Sequence, residues 1–436
     1  MSPSAPAMRS PTAKAKQRAF MIGVVERTST EHLGEHTDHL AELSELLLTA
    51  GAVTVGQMVQ ARDQPEPNTY LGAGKIDQVK AELKRADANV VACDDELTPR
   101  QERNLEQALG VPVIDRTAVI LDIFASHANS AEGKLQVELA QLQYNMARMR
   151  GLWSHLDRLG VGGVGTRGPG ETQIETDRRL ARNRISALKR RLAHVSGNRG
   201  VMRAERERAH LPQIALAGYT NAGKSTLLNA LTGAEVGVRD QLFHTLDPTT
   251  RVLRAGGRDY LLTDTVGFIR KLPHQLVEAF GATLEETRLA DLILHVADGS
   301  APEEARLEMA GAVDEVLNEI GANEAPRLLV LTKVDALDPD ARQALMNRHP
   351  GALLVSARTG EGLEELSERI QAEFAAKLVE VDLMIPFDSG GRLAELHELA
   401  GDLTREDTPE GFHVTARLPP PVAARFSAYA FSMNGG

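Results

Sequence analysis

Residues 218–225 form a glycine-rich loop, GYTNAGKS, which follows one apolar run and precedes an amphipathic one. A strand, a loop and a helix in this order are the context in which such a loop binds phosphates. Gly218 and Gly223 allow backbone N–H groups and a helix N-terminus to face an anion. We expect Lys224 to reach the β and γ phosphates and the Ser225 hydroxyl to bind Mg²⁺.

Three further motifs decide which nucleotide is bound. The run YLLTDTVGF places Asp264 at the end of a strand, where it can hold the Mg²⁺ shell, with Gly267 placed to sense the γ phosphate. The run RLLVLTKVD ends in Asp335, whose carboxylate can accept two hydrogen bonds from guanine that adenine cannot offer. Ser356 and Ala357 are typical of the last guanine-contacting loop of GTPases. Together these motifs predict a site that binds and hydrolyses GTP.

Three residues in these GTPase motifs bear on affinity or on the rate of hydrolysis. Thr332 stands where the guanine motif usually has Asn, and we expect a weaker affinity with an unchanged choice of base. Phe268 replaces the Gln that orients water in many GTPases, so intrinsic hydrolysis should be slow and completed by a bound ribosome or a cation. Asn221 in the pattern GxxNxGKS is typical of GTPases that bind K⁺ beside the phosphates, which predicts stimulation by K⁺.

A polar stretch, GVRDQLFHTLDPTTRV, precedes the Asp264 motif and is predicted to be the first switch. Thr245 is the predicted second Mg²⁺ hydroxyl, with Thr249 and Thr250 as competitors. The predicted catalytic residues are Lys224, Thr245 and Gly267. The full predicted nucleotide-contacting set is Gly218, Tyr219, Thr220, Asn221, Ala222, Gly223, Lys224, Ser225, Phe243, His244, Thr245, Leu246, Asp247, Asp264, Thr265, Val266, Gly267, Thr332, Lys333, Val334, Asp335, Ser356, Ala357 and Arg358.

The elements that must position these residues fall into several domains, because 436 residues exceed what one core supports. The α/β fold predicted here has a disordered tail at 1–19 and a parallel-sheet α/β domain at 20–130. A long basic helical hairpin with a glycine-rich tip follows at 131–210. A doubly wound P-loop GTPase domain spans 212–376, and a small α+β module with a βαβ-like pattern spans 378–436.

The hairpin is basic although the chain is acidic. Residues 134–208 contain 16 Lys and Arg against seven Asp and Glu, whereas the whole chain has a formal charge of −11. Because phosphates attract such an arm, we expect RNA contact there, and a solvated helix surface is the alternative. The candidate RNA contacts are Arg167 near the glycine tip and Arg178, Arg179, Arg182, Lys189 and Arg190 on the second helix.

Other features indicate the compartment and exclude some sites. Cys93 is the single cysteine, so a disulfide framework and a cysteine-ligated zinc site are excluded. The apolar runs are of strand length, far short of the roughly 20 residues of a membrane span, so a cytoplasmic protein is predicted. His32, His36 and His39 have helical spacing, but Gly34 interrupts the helix, and an exposed helix start is favoured over a zinc site.

The motifs together resemble the HflX-type GTPases, a relative of the Obg branch of translation-factor-related GTPases. The strings that carry the resemblance are GYTNAGKS, FHTLDPTTR, DTVGFI, GVGTRGPGETQIETDRR and YLGAGK, and it extends from Phe20 to the C-terminus. It implies a protein that binds the large ribosomal subunit and its RNA, and splits stalled or idle ribosomes under stress with GTP and Mg²⁺. It also implies ATP binding at the N-terminal domain, where Gly72, Gly74 and Lys75 could cradle a phosphate. A monomer, membrane-associated only through ribosomes, is expected.

Two other functions remain open. A GTP-regulated scaffold, or a partner in RNA modification, would use the same nucleotide site on a ligand other than the ribosome. An ATP-driven RNA-unwinding enzyme is disfavoured, because the strong nucleotide site reads guanine and other helicase motifs are absent.

Overall fold

The computed structural model describes residues 17–25, 36–158, 173–208, 211–234, 242–243, 245–273, 276–277, 280–400 and 403–431. The chain divides into a first unit, residues 1–126 with 141–181, and a second unit, residues 127–140 with 182–436. The predictions for His32, the glycine-rich tip, Arg167 and His244 lie outside the described residues. No helix within the described ranges is long and apolar enough to cross a membrane.

The first unit contains a four-stranded parallel sheet, as predicted. Its strands are β1 (Arg18–Val25), β2 (Val53–Ala61), β3 (Val90–Cys93) and β4 (Val113–Asp115), in the order β2-β1-β3-β4. Strand β3 is buried along its whole length, which explains its continuous apolar sequence. The predicted domain start at residue 20 is slightly late, because the Arg18 side chain donates to the carbonyls of residues 86 and 87 and so extends the strand.

Helices α1 (His36–Thr49), α2 (Ala73–Arg85), α3 (Pro99–Leu109) and α4 (Arg116–His127) connect and follow these strands. The start of helix α3 is encoded locally, because Thr98 and Gln101 form a reciprocal capping box and a proline occupies the first turn.

Two long helices follow, α5 (Ala131–Arg158) and α6 (Gln173–Arg208), close to the predicted bounds of the hairpin arms. In the first unit, Arg148 of α5 is buried and donates to Asp115 at 2.8 Å and to Glu102 at 2.7 Å. The Tyr144 hydroxyl donates to the other oxygen of Asp115 at 2.8 Å. Buried charges of this kind require such partners.

The second unit contains a six-stranded sheet in the order β10-β9-β8-β5-β7-β6. Its strands are β5 (Gln213–Gly218), β6 (Thr249–Ala255), β7 (Arg258–Asp264), β8 (Leu292–Asp298), β9 (Arg327–Thr332) and β10 (Leu353–Leu354). All pairs are parallel except β6 with β7. The intervening helices are α7 (Lys224–Thr232), α8 (Gly281–Arg288), α9 (Glu303–Glu319), α10 (Pro339–Arg348) and α11 (Leu363–Ala375).

This sheet is the predicted doubly wound fold. The central strand β5 has β8 on one side and β7 on the other. Ligands of such sheets bind at the carboxyl ends of the strands where the order reverses. The loop that begins at Gly218 leaves β5 at that end.

Within its described residues, the C-terminal module contains β11 (Val379–Ile385), α12 (Gly390–Ala400), β12 (Leu403–Thr408), β13 (Gly411–Leu418) and α13 (Pro420–Arg425). Its sheet is antiparallel, in the order β11-β13-β12. The βαβ-like pattern predicted from the sequence was wrong here. Strand β12, with the sequence LTREDT, was missed because most of it is exposed and it has no apolar alternation.

Candidate nucleotide-binding site

The glycine-rich loop adopts a backbone that few other residues would allow. A Cβ atom on Gly218 would lie 2.1 Å from the carbonyl oxygen of Val296, so the end of β5 packs directly against β8. Gly223 and Asn221 have positive φ angles of 89° and 57°. Helix α7 starts at Lys224, so its free N–H groups point back into the loop. The loop therefore offers backbone donors to an anion.

Lys224 is only 6 % exposed, although it carries an ammonium group. Its Nζ donates to the carbonyl oxygens of Gly218 at 3.0 Å and Tyr219 at 2.7 Å. Burial lowers the pKa of Lys224 to about 8, and the nearby Asp264 carboxylate works against this shift. A phosphate beside Nζ would favour the charged form, so this environment suits an anionic ligand.

Three side chains that carry oxygen atoms converge beside Lys224. The Ser225 Oγ lies 2.5 Å from Oδ2 of Asp264 and 2.9 Å from Oγ1 of Thr245, which in turn donates to the same Asp264 oxygen at 3.1 Å. Asp264 is fully buried, and its other oxygen, Oδ1, has no hydrogen-bond partner among the described residues. Burial raises the pKa of Asp264, and the Lys224 ammonium opposes that rise. The donor set fits Mg²⁺, which takes oxygen ligands.

The competing threonines, Thr249 and Thr250, lie on strand β6, where Thr249 is paired in register with Asp264 of β7. The Thr250 hydroxyl is 3.0 Å from that of Thr263 on β7. The structure therefore brings Thr245, and not Thr250, together with Ser225 and Asp264.

Backbone hydrogen bonds connect the DTVGF segment to the glycine-rich loop. The Thr220 N–H donates to the Phe268 carbonyl at 2.7 Å, and the Phe268 N–H donates to the Gly218 carbonyl at 3.1 Å. A Cβ atom on Gly267 would lie 2.9 Å from Thr220 Cα and 3.0 Å from Lys224 Nζ, so only glycine fits. The Phe268 side chain is fully buried and cannot orient water.

The guanine motif contacts the phosphate loop through Thr332. Its hydroxyl lies 2.7 Å from the carbonyl oxygen of Ala222 and 3.1 Å from that of Ala297. Sequence reasoning expected only a weakened motif here. No local signal marks this contact, since Ala222 is 110 residues away in the chain.

Asp335 is held ready to accept hydrogen bonds. The Ser356 hydroxyl donates to its Oδ1 at 2.7 Å, and the Arg358 guanidinium lies 2.6 Å from its Oδ2. The Ser356 hydrogen bond is the main cause that lowers the pKa of Asp335, so the carboxylate is ionised. Lys333 adopts a φ of 56° and pairs with Asp298 at 2.8 Å. The elements that carry Asp335 and Ser356 thus lie side by side.

Other predicted contact residues use their side chains differently. The Thr265 hydroxyl donates to the carbonyl oxygen of Leu216 at 2.7 Å, within the core. The Asp247 carboxylate does not join the Ser225 cluster, because it accepts hydrogen bonds from the backbone N–H groups of Asn129 and Ser130. The Thr220 hydroxyl is buried without a partner among the described residues.

The candidate RNA contacts within the described residues all lie on helix α6. Four of them have exposed side chains: Arg179, Arg182, Lys189 and Arg190. Arg178 is partly buried, and its Nε has no hydrogen-bond partner among the described residues.

Family models match three successive segments of the chain. Residues 37–125 match the N-terminal region of GTP-binding GTPases, and residues 127–206 match the middle region of the same proteins. Residues 213–333 match a model described as a 50S ribosome-binding GTPase. The first match covers the parallel-sheet domain from helix α1 onward, without strand β1, and the second covers most of the two long helices. The third covers the phosphate loop through Lys333.

Individual proteins match most of the chain. A protein named GTPase HflX from Lacrimispora saccharolytica is 47 % identical over 96 % of this chain and 97 % of its own length. GTPase HflX from Escherichia coli K12 is 43 % identical over 88 % of this chain and 90 % of its own. Among solved structures, a GTP-binding protein from Sulfolobus solfataricus in complex with GDP is 25 % identical, covers 82 % of this chain and 98 % of its own, and has a TM-score of 0.40. The chain therefore belongs to the HflX family of GTPases, P-loop enzymes that hydrolyse GTP, typically with Mg²⁺.

Proposed function

We propose that this GTPase binds the large ribosomal subunit through helix α6 and uses GTP hydrolysis to split or rescue stalled and idle ribosomes under stress. The observation that carries the proposal is the row of exposed cations on α6 in a chain whose formal charge is −11. The description of the matching family model, a 50S ribosome-binding GTPase, supports the same partner.

The cations of α6 are arranged for a strand of phosphates. Arg178, Arg182 and Lys189 are separated by four and seven residues, which places them on one face of a helix with 3.6 residues per turn. Arg179 and Arg190, eleven residues apart, form the adjacent stripe. Each phosphate that such a surface neutralises adds affinity that decreases with salt. Ribosomal RNA offers phosphates of this density.

At the nucleotide site we assign Lys224 to the β and γ phosphates, and Ser225 and Thr245 to Mg²⁺, with Asp264 in its outer shell. When bound, Mg²⁺ would neutralise charge that develops on the phosphates. Gly267 leaves room for the γ phosphate beside Lys224, where any side chain would collide.

Hydrolysis at this site requires help, because Phe268 is buried in the place of a water-orienting Gln. We propose that a bound ribosome supplies part of that help and that K⁺ beside Asn221 supplies another part. The test is GTP turnover in KCl and in NaCl at equal ionic strength. Asn221→Gly is the matched variant, because glycine tolerates the positive φ at this position. Faster turnover in K⁺ that the variant loses is expected, and equal turnover in the two salts would contradict it.

The ribosome proposal is tested by charge reversal on α6. We expect the double variant Arg182→Glu and Lys189→Glu to lose GTP-dependent cosedimentation with large subunits, and subunit stimulation of GTP turnover, while intrinsic turnover persists. The control is Lys80→Glu with Lys84→Glu, two exposed lysines of α2 and an equal change of charge. Equal loss in both variants would indicate general electrostatic attraction and contradict a role specific to α6.

A GTP-regulated scaffold that acts on another RNA or protein is the alternative function. It predicts intact GTP turnover and no GTP-dependent cosedimentation with large subunits. We also propose that ATP binds near Gly72, Gly74 and Lys75. We further propose that the protein is a monomer in the cytoplasm and contacts membranes only through ribosomes. Each follows from the family resemblance, and equilibrium ATP binding by a Lys75→Ala variant tests the first.

A further inference from the structure

Asp247 fastens the predicted first switch to the start of helix α5. Its Oδ2 accepts hydrogen bonds from the backbone N–H groups of Ser130 at 2.7 Å and Asn129 at 3.1 Å. Its Oδ1 accepts a third hydrogen bond from the Ser130 hydroxyl. Asp247 follows Thr245 by two residues, so the anchored carboxylate stands next to the hydroxyl that joins the Ser225 cluster.

The N-terminus of α5 can accommodate this carboxylate. The Ser130 hydroxyl accepts from the Gly133 N–H at 2.8 Å, which makes Ser130 the cap of the helix. The free N–H groups and the dipole of a helix N-terminus favour a negative charge. A Cβ atom on Gly133 would lie 2.4 Å from Oδ1 of Asp247, so the close approach requires glycine at this position.

We propose that Asp247 is a positioning residue, which acts through Thr245 by holding the switch segment against α5. Switch segments of GTPases order around Mg²⁺ and the γ phosphate and are released after hydrolysis. An anchor two residues away favours the ordered state before the nucleotide arrives. Because linkage is reciprocal, GTP bound at Thr245 must also stabilise the first turn of α5. The long helix that precedes the glycine-rich segment would thereby report the nucleotide state.

The inference rests on the proposed Mg²⁺ role of Thr245, and the test separates the two. Mg²⁺ is titrated into purified protein with a non-hydrolysable GTP analogue and, separately, with GDP. We expect Asp247→Asn to raise the Mg²⁺ concentration for half-saturation about tenfold with the analogue and to leave the GDP titration unchanged. That factor corresponds to the loss of one hydrogen bond to a charged group. A general loss of folding would affect both nucleotides.

The Thr245→Ala variant tests only the proposed Mg²⁺ role of Thr245. If Thr245→Ala shifts the analogue titration and Asp247→Asn does not, the anchor is refuted and the Mg²⁺ role of Thr245 stands. If neither variant shifts it, the premise itself fails.

A matched pair of glycine substitutions gives an independent test. Gly133→Ala places a methyl group against the Asp247 carboxylate, whereas Gly311→Ala in helix α9 meets nothing within 4 Å. We expect Gly133→Ala to reproduce the selective Mg²⁺ defect and Gly311→Ala to behave as wild type. Amide hydrogen exchange at Gly133 should slow when the GTP analogue replaces GDP, and it should lose that difference in Asp247→Asn. Exchange that is indifferent to the nucleotide in the wild type would overturn the proposed coupling.

Discussion

Replacing Thr332 by Val removes one hydroxyl at almost constant volume, so it isolates the contact between the guanine motif and the phosphate loop. Thr332 is only 3 % exposed, and water cannot easily replace the lost donor. The carbonyl oxygen of Ala222, 2.7 Å from the hydroxyl, would lose this hydrogen bond. An unsatisfied buried acceptor costs about 1 to 3 kcal/mol.

This cost acts on the loop that cradles the phosphates. Asn221 and Gly223 hold positive φ angles on either side of Ala222, so the loop depends on contacts that enforce its shape. Without the Thr332 bond, a smaller fraction of molecules has the binding-competent loop, and the apparent affinity decreases by that fraction. The full cost would weaken binding by about 5-fold to about 150-fold.

The assay is equilibrium and stopped-flow binding of fluorescent GDP and GTP analogues to wild type, Thr332→Val and Thr332→Ser. We expect both nucleotides to weaken by the same factor in the valine variant, mainly through faster dissociation, and the serine variant to recover most of the affinity. The preference for guanine over adenine should not change, because Asp335 is untouched. Thermal unfolding of each variant shows how much of the cost falls on stability.

Thr250→Val serves as the matched control. It removes a comparable hydroxyl contact, 3.0 Å to Thr263, between two strands of the same domain but away from the phosphate loop. It should lower stability with little effect on nucleotide affinity. Unchanged nucleotide affinity in Thr332→Val, or an equal loss in Thr250→Val, would refute the reasoning.

Three further changes have outcomes that the structure specifies. Asp335→Asn should shift the preference from GDP towards xanthosine diphosphate, because an amide can donate where the carboxylate accepts; a competition assay that still favours GDP would contradict this. Arg116→Ala should lower the unfolding free energy by about 3 to 5 kcal/mol, because it removes the buried guanidinium that pairs with Glu42 and Asp94, and chemical denaturation measures this loss. Burial lowers the pKa of His295 below its ordinary 6.5, so the unfolded chain binds a proton there more readily than the folded one. The stability from neutral His295 is therefore complete above about pH 6.5 and declines as the pH falls, and His295→Gln should flatten the loss of Tm between about pH 7 and about pH 5.5.

The parts of this molecule that the sequence predicts are those encoded by local patterns. The strands of the GTPase sheet coincide with apolar runs, and helix α3 begins at the capping box of Thr98 and Gln101, because periodicity and caps act within a few residues. Gly218, Lys224 and Asp264 were identified because each is the first or last residue of such an element. Strand β12 was missed for the same reason, since its exposed residues have no period to read.

The contacts that sequence reasoning missed join residues far apart in the chain. Thr332 and Ala222 are separated by 110 residues, and Asp247 and Ser130 by 117. The types of these residues are compatible with many partners, and only the packing of strands and helices selects one. The sequence also named Asp247 as a nucleotide contact, because its neighbours carry the switch motif, although its carboxylate faces α5.

These two long-range contacts should support different properties of the nucleotide site. Thr332 supports the phosphate loop, which every bound guanine nucleotide contacts, so its loss should weaken GDP and GTP alike. In our proposal, Asp247 supports Thr245, whose hydroxyl is needed only when Mg²⁺ and a γ phosphate are ordered together, so the loss of Asp247 should affect the GTP state alone. Neither residue reads the base. A pair of variants that separates affinity from nucleotide-state selectivity in this way would show that the site is positioned by two independent supports, one from the sheet and one from helix α5.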